Sequence, residues 1–326
     1  MTGELEASIQ RLSSLVLHEI RDGLRQSICD RNLRRLVLEP IMAQAGSRRS
    51  PVLRRSYLTL VVCRSLCGMV DSALPAAAAV EFFYAALDVF DDIEDQDAGD
   101  ALWTKYGQAP ALNAATALLM LAQVAVARLR LRGVGPEAIA RSMEAIASSG
   151  VAACAGQHRD LAYEASPLVS EAAYFKMVGM KSASLVECAC KLGASAAGAA
   201  GPVADAFSHF GHYLGVASQI SNDVQSLSIN GSTKSDIVRR KKTLPLVFAL
   251  SYAEPRDREW LDALYRSDNP IDSATESRVL EILRRCGAIR YSVVRTELYR
   301  GKAVSALRKA NLPDSAIGEI RSALSV

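Results

Sequence analysis

The 326-residue sequence lacks the features that place a protein in a membrane or on nucleic acid. No segment contains the roughly 18 uninterrupted apolar residues of a membrane-spanning helix. The formal net charge is only +3, which gives no reason to expect a nucleic-acid partner. Residues Met1–Glu6 also lack the basic and apolar pattern of a signal peptide. We therefore expect a globular, cytoplasmic protein without stable membrane insertion.

Alternating runs of β-branched residues, the pattern of β-strands, are also absent. Nearly every long segment instead has helical periodicity. Gly, Pro and Asn interrupt these segments, which predicts about ten to twelve helices joined by short loops. Segments such as 111–132 are apolar on most faces and belong in the centre of a bundle. We expect an all-α fold with residues 1–326 in a single domain.

The cysteines and histidines give little sign of a metal or disulfide role. The seven cysteines are an odd number and lie mostly in apolar helical sequence, which is typical of small reduced core residues. His209 and His212 have i, i+3 spacing but no third ligand nearby, so we expect a packing or surface role for them.

A cluster of carboxylates ends the apolar, Ala-rich stretch before residue 91. Asp91 and Asp95 fall on the same face of a helix, with Asp92 beside them. A solvated helix end is the simpler interpretation, but the apolar residues continue up to Asp91, and acids at a helix C-terminus oppose the helix dipole. We therefore favour a cation site, and carboxylate oxygens favour Mg²⁺.

A second polar cluster follows the apolar run 213–220. Asn222 and Ser226 have i, i+4 spacing, so an amide oxygen and a hydroxyl can converge with Asp223 on a second ion that faces the first cluster. A helix end that leads into the turn Asn230–Gly231 is the alternative.

A basic stretch comes next, with Lys234, Arg239, Arg240, Lys241 and Lys242. By itself it would be a surface loop. Two clusters of oxygen ligands and a basic loop together are the parts of a site for a metal-bridged diphosphate.

Four segments resemble motifs of the trans-isoprenyl diphosphate synthase and class I terpene synthase superfamily. They are Asp91–Asp95, similar to DDxxD; Gly156–Asp160, similar to GQxxD; Lys181–Leu185, similar to a helix containing Lys-Thr; and Lys241–Leu246, similar to KxTLPL. The resemblance implies the isoprenoid synthase fold around an apolar cavity, Mg²⁺ as cofactor, a linear allylic diphosphate as substrate, and a homodimer.

The sequence departs from this family where isopentenyl diphosphate, the second substrate of chain elongation, would bind. The GKxxRP pattern is replaced by Gly46–Pro51, with serines in place of Lys and the second Arg. Tyr84 stands where a His is expected, and Arg-Arg-Gly is absent from 96–103. Charge-assisted contacts to phosphate are each worth about 1.5 to 3 kcal/mol, so chain elongation is not expected.

The second polar cluster resembles a terpene cyclase motif. Asn222–Ser226 is similar to the NDxxSxxxE metal motif, with Asn230 in place of Glu. Lys176 stands where cyclases have a basic diphosphate sensor, and Arg290–Tyr291 resembles their Arg-Tyr pair. The chain is most similar to a bacterial terpene synthase that has the isoprenyl diphosphate synthase scaffold.

The leading hypothesis is therefore a terpene synthase that ionises one linear prenyl diphosphate with Mg²⁺ and cyclises the cation. The expected catalytic residues are Asp91, Asp92, Asp95, Asn222, Asp223 and Ser226, all of them metal ligands except Asp223. The expected diphosphate contacts are Lys176, Lys181, Gln219, Lys234 and Lys241.

Substrate length is expected to depend on Phe83, Ala86 and Leu87, which lie beneath Asp91 on the same helix. Small Ala86 and medium-sized Leu87 leave room, which favours geranylgeranyl over farnesyl diphosphate. Three alternatives stay open: a prenyltransferase with an acceptor such as a peptide Trp, an atypical chain-elongating synthase, and a regulatory subunit of a heteromeric synthase. The intact carboxylate cluster argues against the last.

Overall fold

The computed structural model describes residues 2–45, 53–97, 99–164, 166, 168–227, 236–267, 269–309 and 312–324. These residues form helices and no β-strand, which confirms the predicted all-α fold. The helices outnumber the prediction, because short ones such as Leu102–Tyr106 are too brief to show helical periodicity in the sequence.

The α-helices are numbered in chain order. They are α1 (Thr2–Ser27), α2 (Arg31–Gln44), α3 (Arg54–Cys67), α4 (Leu74–Glu94), α5 (Leu102–Tyr106), α6 (Gln108–Ala127), α7 (Pro136–Glu164), α8 (Glu171–Val178), α9 (Ser184–Ala196), α10 (Gly201–Ser226), α11 (Leu244–Tyr252), α12 (Pro255–Arg266), α13 (Ser273–Arg285), α14 (Ala288–Arg308) and α15 (Asp314–Leu324). Short 3₁₀ helices, Asp71–Ala73 and Arg128–Arg132, flank α4 and α6, and a π-helical turn, Gly179–Ala183, joins α8 to α9.

The chain divides into two compact units. The first comprises Met1–Ser149, Val186–Gly211 and Val304–Val326, and the second comprises Gly150–Leu185 and His212–Ala303.

Helix α4 is the central helix of the first unit. It packs mainly against α6, and also against α3 and α1. Its early turns, Ala76–Val80, are almost completely buried, and their small side chains allow these neighbours to approach closely. Pro75, in the first turn, favours helix initiation there. The core of the first unit therefore supports the helix that ends in the acidic cluster.

Two helical segments are long and apolar enough to cross a membrane by length and composition, Asp71–Glu94 and Gln108–Arg132. Core helices of globular proteins meet the same criterion. Each segment contains an apolar window of 18 residues. In the first segment 78% of this window is buried inside the protein, and in the second 44% is buried. Segment Asp71–Glu94 is thus explained by its place in the core.

The second unit has two apolar clusters in its core. One joins α8 to α10 and α11 through residues such as Val178, Ile220 and Val247. The other joins α11 to α12 and α13 through residues such as Leu246 and Leu261. Helix α11 contributes to both clusters, so its first turn has a fixed position within the unit.

Candidate active site

Helix α4 ends inside the predicted acidic cluster. Asp91 and Asp92 belong to its last turn, and the Asp95 backbone N–H donates to the Asp91 carbonyl at 2.8 Å. Gln96 follows with a positive φ of 53°, which turns the chain away from the helix. The three predicted carboxylates are partly exposed, so they lie at a helix end and are accessible from solvent.

Trp103 stabilises this helix end, a role that the sequence did not reveal. Its indole N–H is shared between the carbonyl of Asp92, at 3.1 Å, and that of Asp97, at 3.0 Å. The Asp92 carbonyl also accepts the Asp97 backbone N–H at 2.8 Å, so the indole supplies a second donor to a carbonyl in the last turn of the helix. Trp103 therefore fixes the backbone on both sides of Asp95.

The acidic cluster fits a cation that also binds a substrate. Among the described residues, no three His, Cys, Asp or Glu side chains are grouped so that they could hold a metal ion on their own. Mg²⁺ commonly binds through one or two carboxylates and completes its coordination with water and substrate phosphates. Asp91 and Asp95, on one helix face, provide such a partial ligand set.

An ion pair joins α3 to α4 just before the acidic cluster, and the sequence alone did not reveal it. The Arg55 Nη1 group, on α3, donates to Asp88 Oδ2 at 2.6 Å. The Arg55 guanidinium carbon also lies 4.5 Å from the ring centroid of Tyr84. Burial lowers the pKa of Arg55, but the combined effects of Asp88, Tyr84 and Glu81 oppose it, and the pKa is raised overall. No local motif could reveal this pair, because Arg55 and Asp88 are far apart in sequence.

Glu81, about one helical turn before Tyr84 on α4, is a buried carboxyl group. Its Oε1 atom accepts the backbone N–H of Ser56 at 2.9 Å, near the start of α3. Burial raises the pKa of Glu81 above its usual value, although the hydrogen bonds from Ser56 oppose this effect. Glu81 therefore attaches α4 to the first turn of α3.

The predicted cavity residues differ in exposure. Phe83 and Ala86 are almost completely buried, whereas Leu87 is partly exposed. Their predicted effect on substrate length stays a prediction.

Asp223, in the second polar cluster, is buried and fully engaged in hydrogen bonds. Its Oδ2 atom accepts the Tyr174 hydroxyl at 2.6 Å and the Leu244 backbone N–H at 3.0 Å, and its Oδ1 atom accepts Gln219 Nε2 at 2.9 Å. Burial raises the pKa of Asp223 to about 6, against the lowering effect of these hydrogen bonds. Asp223 thus anchors α10 to α8 and to the first turn of α11.

The other members of this cluster differ in accessibility. Asn222 is exposed, whereas the Ser226 hydroxyl donates to the Asp223 carbonyl at 3.0 Å. Gln219 is engaged at both ends, since its Oε1 atom accepts the Ser182 hydroxyl at 2.7 Å. The predicted metal and diphosphate contacts of these residues stay predictions.

Two of the predicted basic contacts meet at the Asp of the GQxxD-like segment. Lys181 Nζ lies 2.7 Å from Asp160 Oδ2, and Lys241 Nζ lies 3.8 Å from the same oxygen. Lys176 is exposed. Lys234, Asn230 and the segment Gly46–Pro51 lie outside the described residues.

Two minor sequence features make polar contacts in the structure. The Tyr291 hydroxyl donates to Glu171 Oε1 at 2.6 Å, and its ring stacks on Phe248 with centroids 4.4 Å apart. His209 Nδ1 lies 2.8 Å from the carbonyl of Asp205, one turn earlier on α10.

Comparison with known proteins identifies the family. The polyprenyl synthetase family model matches residues 44–283. The chain belongs to this family. It is 31% identical to geranylgeranyl diphosphate synthase of Mycobacterium tuberculosis over 72% of this chain and 68% of that protein. It is also 25% identical to tryptophan prenyltransferase ComQ of Bacillus subtilis over 74% of this chain and 77% of that protein.

A solved structure shows the same fold. The geranylgeranyl pyrophosphate synthase of Corynebacterium glutamicum, complexed with isoprenyl diphosphate and magnesium, matches with a TM-score of 0.79. The match covers 97% of this chain and 98% of that chain, at 20% identity. The isoprenyl synthase fold implied by the motifs is therefore confirmed.

Proposed function

We propose that this protein is a Mg²⁺-dependent prenyltransferase that ionises a linear allylic diphosphate and transfers its prenyl group to an acceptor. The main support is the row of partly exposed carboxylates, Asp91, Asp92 and Asp95, at the end of α4 in a member of the polyprenyl synthetase family. The relatives named above are a geranylgeranyl diphosphate synthase and a tryptophan prenyltransferase, and these names support prenyl transfer better than the cyclisation favoured by the sequence motifs.

The carboxylates of α4 bind the cation in this proposal. Asp91 and Asp95 are its ligands on one helix face, and Asp92 supports them from the side. Held by these carboxylates, Mg²⁺ would offset the negative charge of the diphosphate and make it a better leaving group. Trp103 holds the backbone of this segment in place, so little reorganisation accompanies binding.

Other residues keep their proposed roles from the sequence. Asn222 and Ser226 are proposed metal ligands, and Asp223 positions them from its buried hydrogen-bond network. The proposed diphosphate contacts are Lys176, Lys181, Gln219, Lys234 and Lys241. Asp160 holds Lys181 and Lys241 close together, and these two cations with one carboxylate leave one positive charge in excess.

The proposed donor is geranylgeranyl diphosphate, with farnesyl diphosphate second, because Ala86 and Leu87 are small and medium-sized residues beneath Asp91. The proposed acceptor is not isopentenyl diphosphate. The chain lacks several basic residues of that site, and one relative is named as a tryptophan prenyltransferase. Cyclisation is a second candidate, supported by the NDxxS-like segment Asn222–Ser226.

The test is incubation of purified protein and Mg²⁺ with geranyl, farnesyl or geranylgeranyl diphosphate, each with and without isopentenyl diphosphate. We expect Mg²⁺-dependent diphosphate release, reduced at least about a hundredfold by Asp91→Asn or Asp95→Asn. Asp100→Asn, at a fully exposed acid nearby, is the matched control. Undiminished release by the Asp91 and Asp95 variants would contradict the proposal.

The products separate the alternatives. A cyclic hydrocarbon or alcohol from a single substrate identifies cyclisation. Longer linear diphosphates that form only with isopentenyl diphosphate identify chain elongation. Linear alcohol formed by reaction with water, without either of these products, supports transfer to a different acceptor, and addition of Trp-containing peptides then tests the acceptor directly.

A further inference from the structure

One face of α4 carries both the acidic cluster and the ion pair with α3. Tyr84, Asp88 and Asp92 follow one another at i, i+4 and i+8, with Asp91 beside them. Residues at this spacing have Cβ atoms about 5 to 6 Å apart. The Arg55–Asp88 pair therefore lies about one helical turn from the proposed Mg²⁺ ligands, close enough to contact a second substrate that binds beside the first.

Arg55 has a fixed position and a neutralised charge. Asp88 Oδ2 accepts its Nη1–H at 2.6 Å, and its guanidinium carbon lies 4.5 Å from the ring centroid of Tyr84. The side chains of Arg55 and Asp88 are 29% and 33% exposed, so a ligand can reach both. The pair presents no net charge to that ligand.

A diphosphate would bind poorly beside such a pair. Phosphate recognition by Arg depends on a guanidinium whose N–H groups and charge are available to the phosphate oxygens. Here Asp88 occupies one N–H of Arg55, and its negative charge repels an anion that approaches the remaining ones. An acceptor without a diphosphate avoids this repulsion and can lie against the Tyr84 ring.

We infer that Asp88 determines the class of acceptor: by neutralising Arg55 beside Tyr84, it excludes a second diphosphate and admits an acceptor that carries none. This inference rests on the proposed prenyl transfer and adds the residue that decides between the acceptor classes. Asp88 acts here through Arg55, so it is a specificity-determining residue with no part in the ionisation step.

The experiment compares binding of radiolabelled isopentenyl diphosphate to wild type, Asp88→Asn, Asp88→Ala and Asp88→Glu by equilibrium dialysis. The Asn and Ala variants remove the negative charge in two different ways, and Glu keeps it. We expect the Kd of isopentenyl diphosphate to fall by about tenfold or more in the Asn and Ala variants. In wild type and Asp88→Glu the binding should stay weak. Asp100→Asn is the control for a general loss of negative charge.

Two results would overturn the inference: tight binding of isopentenyl diphosphate by the wild type, or no gain in either the Asn or the Ala variant when circular dichroism shows a native fold. Diphosphate release from the allylic substrate alone is measured in parallel. If the wild type releases no diphosphate from the allylic substrate, the proposed function is contradicted. The dialysis result would still decide the role of Asp88.

Discussion

Gly156 of α7 lies against the backbone of Lys181 so closely that a Cβ atom at Gly156 would be 2.6 Å from Lys181 Cα. Gly215 of α10 approaches the same π-helical turn, and its Cβ would lie 2.5 Å from Ala183 Cα. Two glycines thus permit the contact of α7 and α10 with the turn that carries Lys181. The GQxxD-like segment begins with Gly because of this contact.

The first prediction concerns this contact. Gly156→Ala should lower the free energy of unfolding by about 1 to 3 kcal/mol, because backbone atoms must move to admit the methyl group. Gly301→Ala is the control, since no atom lies within 4 Å of its added Cβ. Urea denaturation of both variants measures the difference. Equal stability of Gly156→Ala and wild type would contradict the close approach.

Tyr174→Phe tests the hydrogen-bond network of Asp223. The variant removes the hydroxyl that donates to buried Asp223 at 2.6 Å, and we expect a loss of about 1 to 3 kcal/mol in the free energy of unfolding. The same bond lowers the pKa of Asp223, so this pKa should rise above its value of about 6. Denaturation midpoints measure the first effect, and carboxyl titration by NMR measures the second.

Tyr252→Phe is the matched control for Tyr174→Phe, because Tyr252 is 68% exposed. It should leave both the stability and the Asp223 titration unchanged. If the two variants behave alike, the network does not stabilise the second unit.

Glu81 predicts a pH dependence of stability. Burial raises its pKa in the folded state, so the folded protein binds the Glu81 proton more tightly than the unfolded chain does. The contribution of Glu81 is then fully present below the usual pKa of 4.5 and is lost as the pH rises through the folded pKa. Glu81→Gln should remove this loss and keep an acceptor for the Ser56 N–H.

The measurement for Glu81 is urea denaturation of wild type and Glu81→Gln at several values between about pH 4 and about pH 8. The difference in unfolding free energy between variant and wild type should increase with pH. A constant difference would show that Glu81 has the same pKa in both states.

Replacement of Lys242 by an apolar residue should stabilise the protein. Its Nζ atom is buried, has no hydrogen-bond partner among the described residues, and lies 5.0 Å from the ring centroid of Tyr265. Burial lowers the pKa of Lys242. Lys242→Met keeps the apolar stem and removes the polar atom, so the free energy of unfolding should rise by about 1 kcal/mol. Thermal denaturation of both proteins, with Lys309→Met as an exposed control, measures the change.

The fold was predictable from local sequence to a large extent. The apolar run before Asp91 and the Pro at the start of α4 define a buried helix with an acidic end, and the structure has that helix. The exposure of Asn222 beside buried Asp223 was not predictable. It depends on Tyr174 and the Leu244 N–H, which come from distant helices and meet Asp223 only in the folded chain.

The same limit explains why sequence reasoning missed the Arg55–Asp88 pair. In the sequence, Asp88 precedes the acidic cluster and belongs to the same helix surface. Arg55 lies just after Gly46–Pro51, the segment in which serines replace expected basic residues. Arg55 and Asp88 come into contact only when α3 packs against α4. The sequence shows directly that expected basic residues are missing from Gly46–Pro51. It does not show that Asp88 neutralises Arg55, because that contact forms only in the folded chain.

The indole of Trp103 also makes the acidic cluster optically observable. The chain has two tryptophans, and the other, Trp260, lies under Arg278 at 4.0 Å. Trp260→Phe would leave Trp103 as the single emitter, hydrogen-bonded to the backbone on both sides of Asp95. Its fluorescence would then test directly the cation and diphosphate binding proposed for these carboxylates, without a label and without turnover.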